Sequence, residues 1–224
     1  MDNDSAAPES AGKRERNYAA TVEEIKTVAL SEIRKVGPER MAMRAIGRAI
    51  GMTPSGLYRY FASRQDLLTA LRLDIYRDLD AILGYREDEG DPLSRRWMGM
   101  AQRFRSWALE HPGEFRLLLS GEARDGRGTE EAVEILTRAQ EVPRQIIQDA
   151  IRAGDLVSPV PDADKYAGEG FNALPDVGVI MSLAVLGYVQ LESQGYVERV
   201  IGDPKDVFEV YLATVMRNSG FTLR

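Results

Sequence analysis

Residues 51–71, GMTPSGLYRYFASRQDLLTAL, decide how the rest of the chain is read. Gly51-Met52-Thr53 is a short glycine-containing turn of the kind that joins two helices at a steep angle. Thr53 is a preferred N-cap type, and Pro54 follows at the first helical position, where a missing amide hydrogen costs nothing; a helix is predicted to start there and to run through PSGLYRYF. Leu57 and Phe61, one turn apart, are expected to face inward, leaving Ser55, Arg59 and Tyr60 outward. Just upstream, Met43, Ile46 and Ile50 fall at i, i+3, i+7 and predict a short helix over 43–50, with Gly51 as its permissive exit. Further upstream, Tyr18, Val22, Ile25, Ala29, Ile33 and Val36 recur at three- and four-residue steps, and Gly37-Pro38 ends that helix. Downstream, Ser63 with Asp66 three residues later opens another, carrying Leu67, Leu71, Ile75, Leu79 and Ile82 on one face and ending near Gly84.

Two short helices about a tight turn are what a DNA-docking helix-turn-helix requires, because the second must enter the major groove while the first braces it. The projecting segment begins with small residues, where backbone and base edges approach closely, and continues with Tyr58, Arg59 and Tyr60, side chains suited to phosphates and bases. Charge is distributed to match. Between Lys13 and Gln65 eleven Lys and Arg stand against five Glu, a local +6 in a chain whose total is -6, so the remainder carries -12. A positive head on an acidic body suits a phosphate-binding module whose other surfaces repel nucleic acid.

The composition, 44% hydrophobic and 29% charged, is that of an ordinary globular chain. The absence of cysteine excludes a disulfide framework, a thiolate zinc site and a cysteine nucleophile. No apolar run approaches a membrane span, and the N-terminus places acids before its basic cluster with no apolar core, unlike a secretory signal; a cytoplasmic protein is expected. The only histidine, His111, precedes Pro112 and has no metal-ligand spacing around it, and no catalytic constellation or cofactor motif emerges, so neither an enzyme nor a cofactor is expected. Gly168 to Ala173 fits GxGxxA in letters alone, since no strand precedes it. Residues 1–17, rich in Ala, Ser, Pro, Asp and Gly, read as a disordered tail; 18–66 as the helix-turn-helix domain; 67–224 as a helical body with further helices near 93–110, 113–119, 129–153, 175–194 and 205–218. The expectation is an all-α chain of about nine helices.

The residues of the opening stretch resemble the helix-turn-helix of the tetracycline-repressor (TetR/AcrR) family. The resemblance covers about residues 22–71, including Ile46-Gly47, the Gly51-Met52-Thr53 turn, Leu57-Tyr58, Phe61 and the basic-x-x-Leu opening at Arg64. It implies that Arg44, Thr53, Ser55, Gly56 and Arg59 approach base edges, that Tyr58, Tyr60 and Arg64 grip phosphates, and that Pro54 also lies in the DNA contact. Arg59 is the expected specificity residue, since an arginine can bond bidentately to guanine O6 and N7 for about 1–3 kcal/mol of discrimination. Two positions depart from the family: Ala42 replaces a Thr or Ser cap and Gly47 replaces Ala, each lowering helix stability by about 1 kcal/mol. Lys13, Arg14 and Arg16 are read as solvated, nonspecific contacts rather than a minor-groove arm.

In the body, Trp97, Met100, Phe104 and Trp107 recur at i, i+3, i+7, i+10, followed by Phe115 and Leu119; such a stripe describes a plain core and a ligand cavity equally well. The resemblance implies a cavity for a small-molecule effector, with these six residues, Phe171 and Met181 as its lining. The last two long helices are apolar around much of their circumference. Gly178, Ser182 and Gly187 allow close approach, and Leu183, Leu186, Val189, Val210, Tyr211 and Val215 would fill a four-helix seam between two copies of the chain. The expected function is therefore a homodimeric, ligand-responsive repressor on a double-stranded, palindromic DNA operator. The alternative is a helical partner-binding scaffold or small-molecule-binding protein without DNA function.

Overall fold

The computed structural model describes residues 6–83, 90–120, 141–157 and 176–223, and all its regular elements are helical. They are α1 (Ala6–Val36), a single 3-10 turn (Pro38–Arg40), α2 (Met43–Ala49), α3 (Pro54–Leu57), α4 (Arg64–Leu83), α5 (Leu93–Glu110), α6 (Pro112–Leu119), α7 (Glu141–Ala153), α8 (Asp176–Ser193), α9 (Tyr196–Val200) and α10 (Pro204–Asn218). That makes ten α-helices among the described residues, with α9 and the 3-10 turn unanticipated because each is shorter than one apolar repeat. The expected helix start at 129 and the GxGxxA stretch lie outside the described residues.

The chain divides into two compact units. The first comprises residues 1–72 and 113–123, the second 73–112 and 124–224, so the division falls inside α4 and returns α6 to the first unit. This differs from the expected boundary after residue 66. The core of the first unit is Ile25, Ala29 and Ile33 of α1 with Met43 and Ile46 of α2, Leu57, Phe61, and Leu67, Leu68 and Leu71 of α4, all buried. All but Leu68 are the periodic positions that defined the helices, and full burial of each large aliphatic side chain contributes about 1.5–3 kcal/mol. At the N-terminus the outcome differs from the disordered tail expected for residues 1–17: α1 begins at Ala6. Ala, Glu, Lys and Arg all favour helix, and Pro8 falls within the first turn, where no amide hydrogen is needed. Composition hid this because residues 13–17, all exposed, carry no inward-facing apolar period.

α6 is fixed to α1 by charge and by close approach. The Arg34 guanidinium donates to both carboxylate oxygens of Glu114, a residue almost wholly buried, and this hydrogen bonding raises the arginine further above its ordinary range. Arg116 donates to the carbonyls of Ile33 and Arg34 at 3.4 and 3.3 Å, capping the last turn of α1. The helices meet at Gly113, where a Cβ would lie 2.6 Å from Arg34 Cγ and 3.1 Å from Arg34 Cα. Buried Arg72 caps the other end of α6, its Nε reaching the Leu117 carbonyl at 3.3 Å and its guanidinium Ser120 Oγ at 3.0 Å.

In the second unit α5 packs against α7, α8 and α10, and α8 also packs against α9 and α10. Arg105 of α5 makes a bidentate pair with Glu192 of α8, Nε to Oε2 being 2.7 Å, and lies over the Phe208 ring of α10. Tyr188 stacks on Tyr211 and meets Phe208 at a tilt, with centroids 5.1 and 5.0 Å away, and its hydroxyl donates to the Pro204 carbonyl. Burial pushes the phenols of Tyr188 and Tyr211 up. No described helix is long and apolar enough to cross a membrane.

Candidate nucleic-acid interface

The turn between α2 and α3 is built by local chemistry. The Met52 amide donates to the Gly47 carbonyl at 2.8 Å, and Gly51 sits at φ 70°, the left-handed region in which glycine alone is unstrained. This turn also accounts for Gly47. It is buried, and a Cβ there would stand 3.0 Å from the Met52 carbonyl oxygen, so the alanine usual at this position would press on the turn. Thr53 caps α3 as expected, its Oγ1 accepting from the Gly56 amide at 3.2 Å, and it lies 3.2 Å from Ser55 Oγ. Ala42, by contrast, caps α2 with no side-chain hydrogen bond.

α3 is shorter than the eight residues read from PSGLYRYF. It ends at Leu57, and the Arg59 and Tyr60 amides turn to the carbonyls three residues back, Gly56 and Leu57. The tightened turn keeps Leu57 and Phe61, four residues apart, both buried. What it leaves outside is a surface of Arg44 and Arg48 from α2, and Thr53, Pro54, Ser55, Tyr58 and Arg59 from α3 and its turn, all exposed. Tyr58 is 48% exposed, which removes the core role its spacing would also allow. Gly56 is half-buried beneath the Thr53 side chain. Arg44, Arg48 and Arg59 form no ion pair with any described residue, so three unneutralised cations lie beside the cap hydroxyls. Arg48 is the member of this group that sequence reasoning passed over; its signal was its place four residues after Arg44, on the same face of α2.

Two of the expected residues have other engagements. Tyr60 is half-buried and stacks on Tyr18 of α1, centroids 4.9 Å apart at 27°. Arg64 turns away from the exposed surface: its Nε donates to the Met41 carbonyl at 3.0 Å and its guanidinium to the carbonyls of Pro38 and Glu39. A phosphate grip was expected from its charge at a helix start. The Gly37-Pro38 break instead leaves a cluster of carbonyls that only a forked, permanently charged donor satisfies at once.

The second unit holds a cavity of about 110 Å³ lined by Leu83 of α4, Met100 and Phe104 of α5, Pro143 of α7, and Ser182 and Leu186 of α8, among others. Met100 and Phe104 were expected there. Trp97, Trp107 and Met181 are instead buried in the unit's packing, Trp97 with its indole Nε1 lacking a hydrogen-bond partner among the described residues. Phe115 and Leu119 belong to the first unit, where α6 packs with α1 and Phe115 is core while Leu119 is exposed. Phe171 lies outside the described residues. Of the anticipated seam, Val189 is buried within its own chain and Tyr211 donates to the Ala184 carbonyl, whereas Leu183 and Val210 are 62% and 68% exposed.

Comparison with known proteins gives two family matches. Residues 25–71 match the bacterial regulatory proteins of the tetR family, and residues 97–215 match the tetracyclin repressor-like C-terminal domain. The HTH-type transcriptional regulator Rv1816 of Mycobacterium tuberculosis is 30% identical over 189 residues, covering 77% of this chain and 81% of the relative. HTH-type transcriptional regulator Mb1846 of Mycobacterium bovis matches to the same extent. Among solved structures, the regulatory protein SCO4313 superposes with a TM-score of 0.72 at 26% identity, covering 91% of this chain and 98% of that one. A tetR-family regulatory protein from Rhodococcus RHA1 superposes with a TM-score of 0.65 at 16% identity, over 90% and 98% of the two chains.

Proposed function

The chain belongs to the tetR family of bacterial regulatory proteins and is a DNA-binding transcriptional regulator, and from that premise we propose that it acts in the cytoplasm as a homodimeric, ligand-responsive repressor, not an enzyme. The observation that carries the DNA-reading part is the surface of Arg44, Thr53, Pro54, Ser55, Tyr58 and Arg59, exposed on a helix-turn-helix whose opposite face is fully buried. A rigid frame holds these groups before DNA arrives, so little ordering entropy opposes docking. Arg59 reads a base, Tyr58 and the α2 arginines hold phosphates, and Gly56 lets the backbone approach. Arg64 acts from behind by fixing the turn after α1.

Two copies joined through α8 and α10 present two such surfaces about 34–36 Å apart, one helical turn of DNA, which calls for a palindromic operator. An effector bound in the apolar cavity of the second unit favours a spacing that does not fit. It shifts the equilibrium only by its differential affinity for the two arrangements, and a coupling of about 1–3 kcal/mol is enough.

Gel retardation on a duplex from the protein's own upstream region tests the reading. Arg59→Ala is expected to weaken retardation about 10- to 100-fold, the equivalent of one bidentate base contact. Undiminished retardation by the Arg59→Ala, Tyr58→Ala double variant would refute the assignment of this surface.

A further inference from the structure

We propose that the exposed stretch Lys13 to Ala20 of α1 carries a second, sequence-independent DNA contact, a phosphate held by Arg14 beside the helix-turn-helix; the inference rests on the DNA-docking surface assigned above. α1 is 31 residues long, yet from Gly12 onward its first buried residue is Ile25. Every residue from Lys13 to Ala20 is exposed, so this stretch is not held by the core. One lateral contact orients it: the Tyr18 ring stacks on Tyr60, the residue next to Arg59. This stack of exposed Tyr18 on half-buried Tyr60 makes α1 the neighbour of the segment that carries Arg59.

The helical register then distinguishes the three cations. At about 100° per residue, Arg14 lies about 40° around the helix from Tyr18 and one turn further out, on the face that Tyr18 turns to the recognition segment. Lys13 and Arg16 lie about 140° and 160° away, on the opposite side. Arg16 also folds back along its own helix, its guanidinium nitrogen 3.4 Å from where a Cβ on Gly12 would be. Arg14 is exposed and forms no ion pair with any described residue. Its fork suits a phosphate oxygen pair. The contact lies on a regular helix, so it meets the duplex backbone from outside the groove, unlike a flexible arm threaded into the minor groove.

The test is the salt dependence of affinity, read by fluorescence anisotropy between 50 and 300 mM KCl. The probes are two 40-base-pair duplexes, one from the protein's own upstream region and one of the same composition with scrambled order. Each phosphate contact contributes about 0.9 to the slope of log K against log salt. Arg14→Gln is expected to lower the slope by about 0.9 per head on both duplexes and to weaken both by the same factor. Arg14→Lys keeps the slope, and Arg16→Gln moves it by less than half as much. An Arg14→Gln slope equal to wild type on both duplexes, or a loss confined to the upstream duplex, overturns the contact while leaving the helix-turn-helix reading in place. Wild-type protein that binds neither duplex overturns both. Arg14 is exposed, so the variant's helical circular dichroism and melting are expected to match wild type.

Discussion

Arginine serves opposite ends within a few residues of this chain, and its partners show which. Arg59 is exposed and unpaired among the described residues, whereas Arg64 spends its fork on carbonyls of the segment that follows α1. Sequence presents both as cations near a helix-turn-helix; the difference is made by Gly37-Pro38, whose break leaves acceptors 23 to 26 residues away in the chain. Such a partner, distant in sequence, leaves no periodic signal. Arg64→Ala is expected to destabilise the first unit by about 1.5–3 kcal/mol, the worth of charged hydrogen bonds whose carbonyl partners are left partly buried. Arg64→Lys recovers less than half, because an ammonium cannot span three carbonyls. Urea denaturation followed by circular dichroism measures both. A loss of DNA affinity with unchanged stability would return Arg64 to a direct phosphate role.

At the scale of elements, α6 shows how an assignment by periodicity goes astray. Phe115 and Leu119 continue the apolar spacing of α5 in sequence, and that stripe predicts them in the body. The three-dimensional partner of α6 is α1, chosen by the Arg34–Glu114 pair and by the absence of a side chain at Gly113. A lone buried acid within PGEFRLLL was the available sign that a charged partner must come from elsewhere. Gly113→Ala is expected to cost about 1–3 kcal/mol, since the new methyl meets the Arg34 backbone as well as its flexible side chain. Thermal melting should fall accordingly, and a melting point at or above wild type would show that α6 can shift away without loss. Within the helix-turn-helix, by contrast, α2, the turn and the Pro54 start were legible, because cap, proline and glycine act over two to four residues. The boundaries of α5 and α10 were legible for the same reason, with Pro92 at the start of one and Asp203-Pro204 at the start of the other. Gly47 needed the fold: it reads as a helix defect until the Met52 carbonyl is seen against it.

For the molecule as a whole, the decisive question is what covers α8. One side of that helix is consumed within its own unit by Met181, Val185, Tyr188 and Val189, all buried. The other side presents Ile180, Leu183 and Leu191, with Gly187 between them, and α10 adds Val210, all exposed. Residues 180, 183, 187 and 191 follow the three- and four-residue steps of a single helical stripe, so the chain has written a second apolar face that its own fold does not bury. The cost of leaving that face in water is removed if a second copy covers it, and a two-fold arrangement lets the same stripe serve both partners. Leu183→Glu places a charge in the middle of this face without touching the core. It is expected to convert a sedimenting species of about 50 kDa, twice the 25.0 kDa chain, to one of about 25 kDa, with helix content unchanged. Operator retardation should then require much higher protein concentration, because each recognition surface must find its half-site alone. A Leu183→Glu variant that still sediments as a dimer would move the interface off α8 and leave the exposed stripe without an assigned partner.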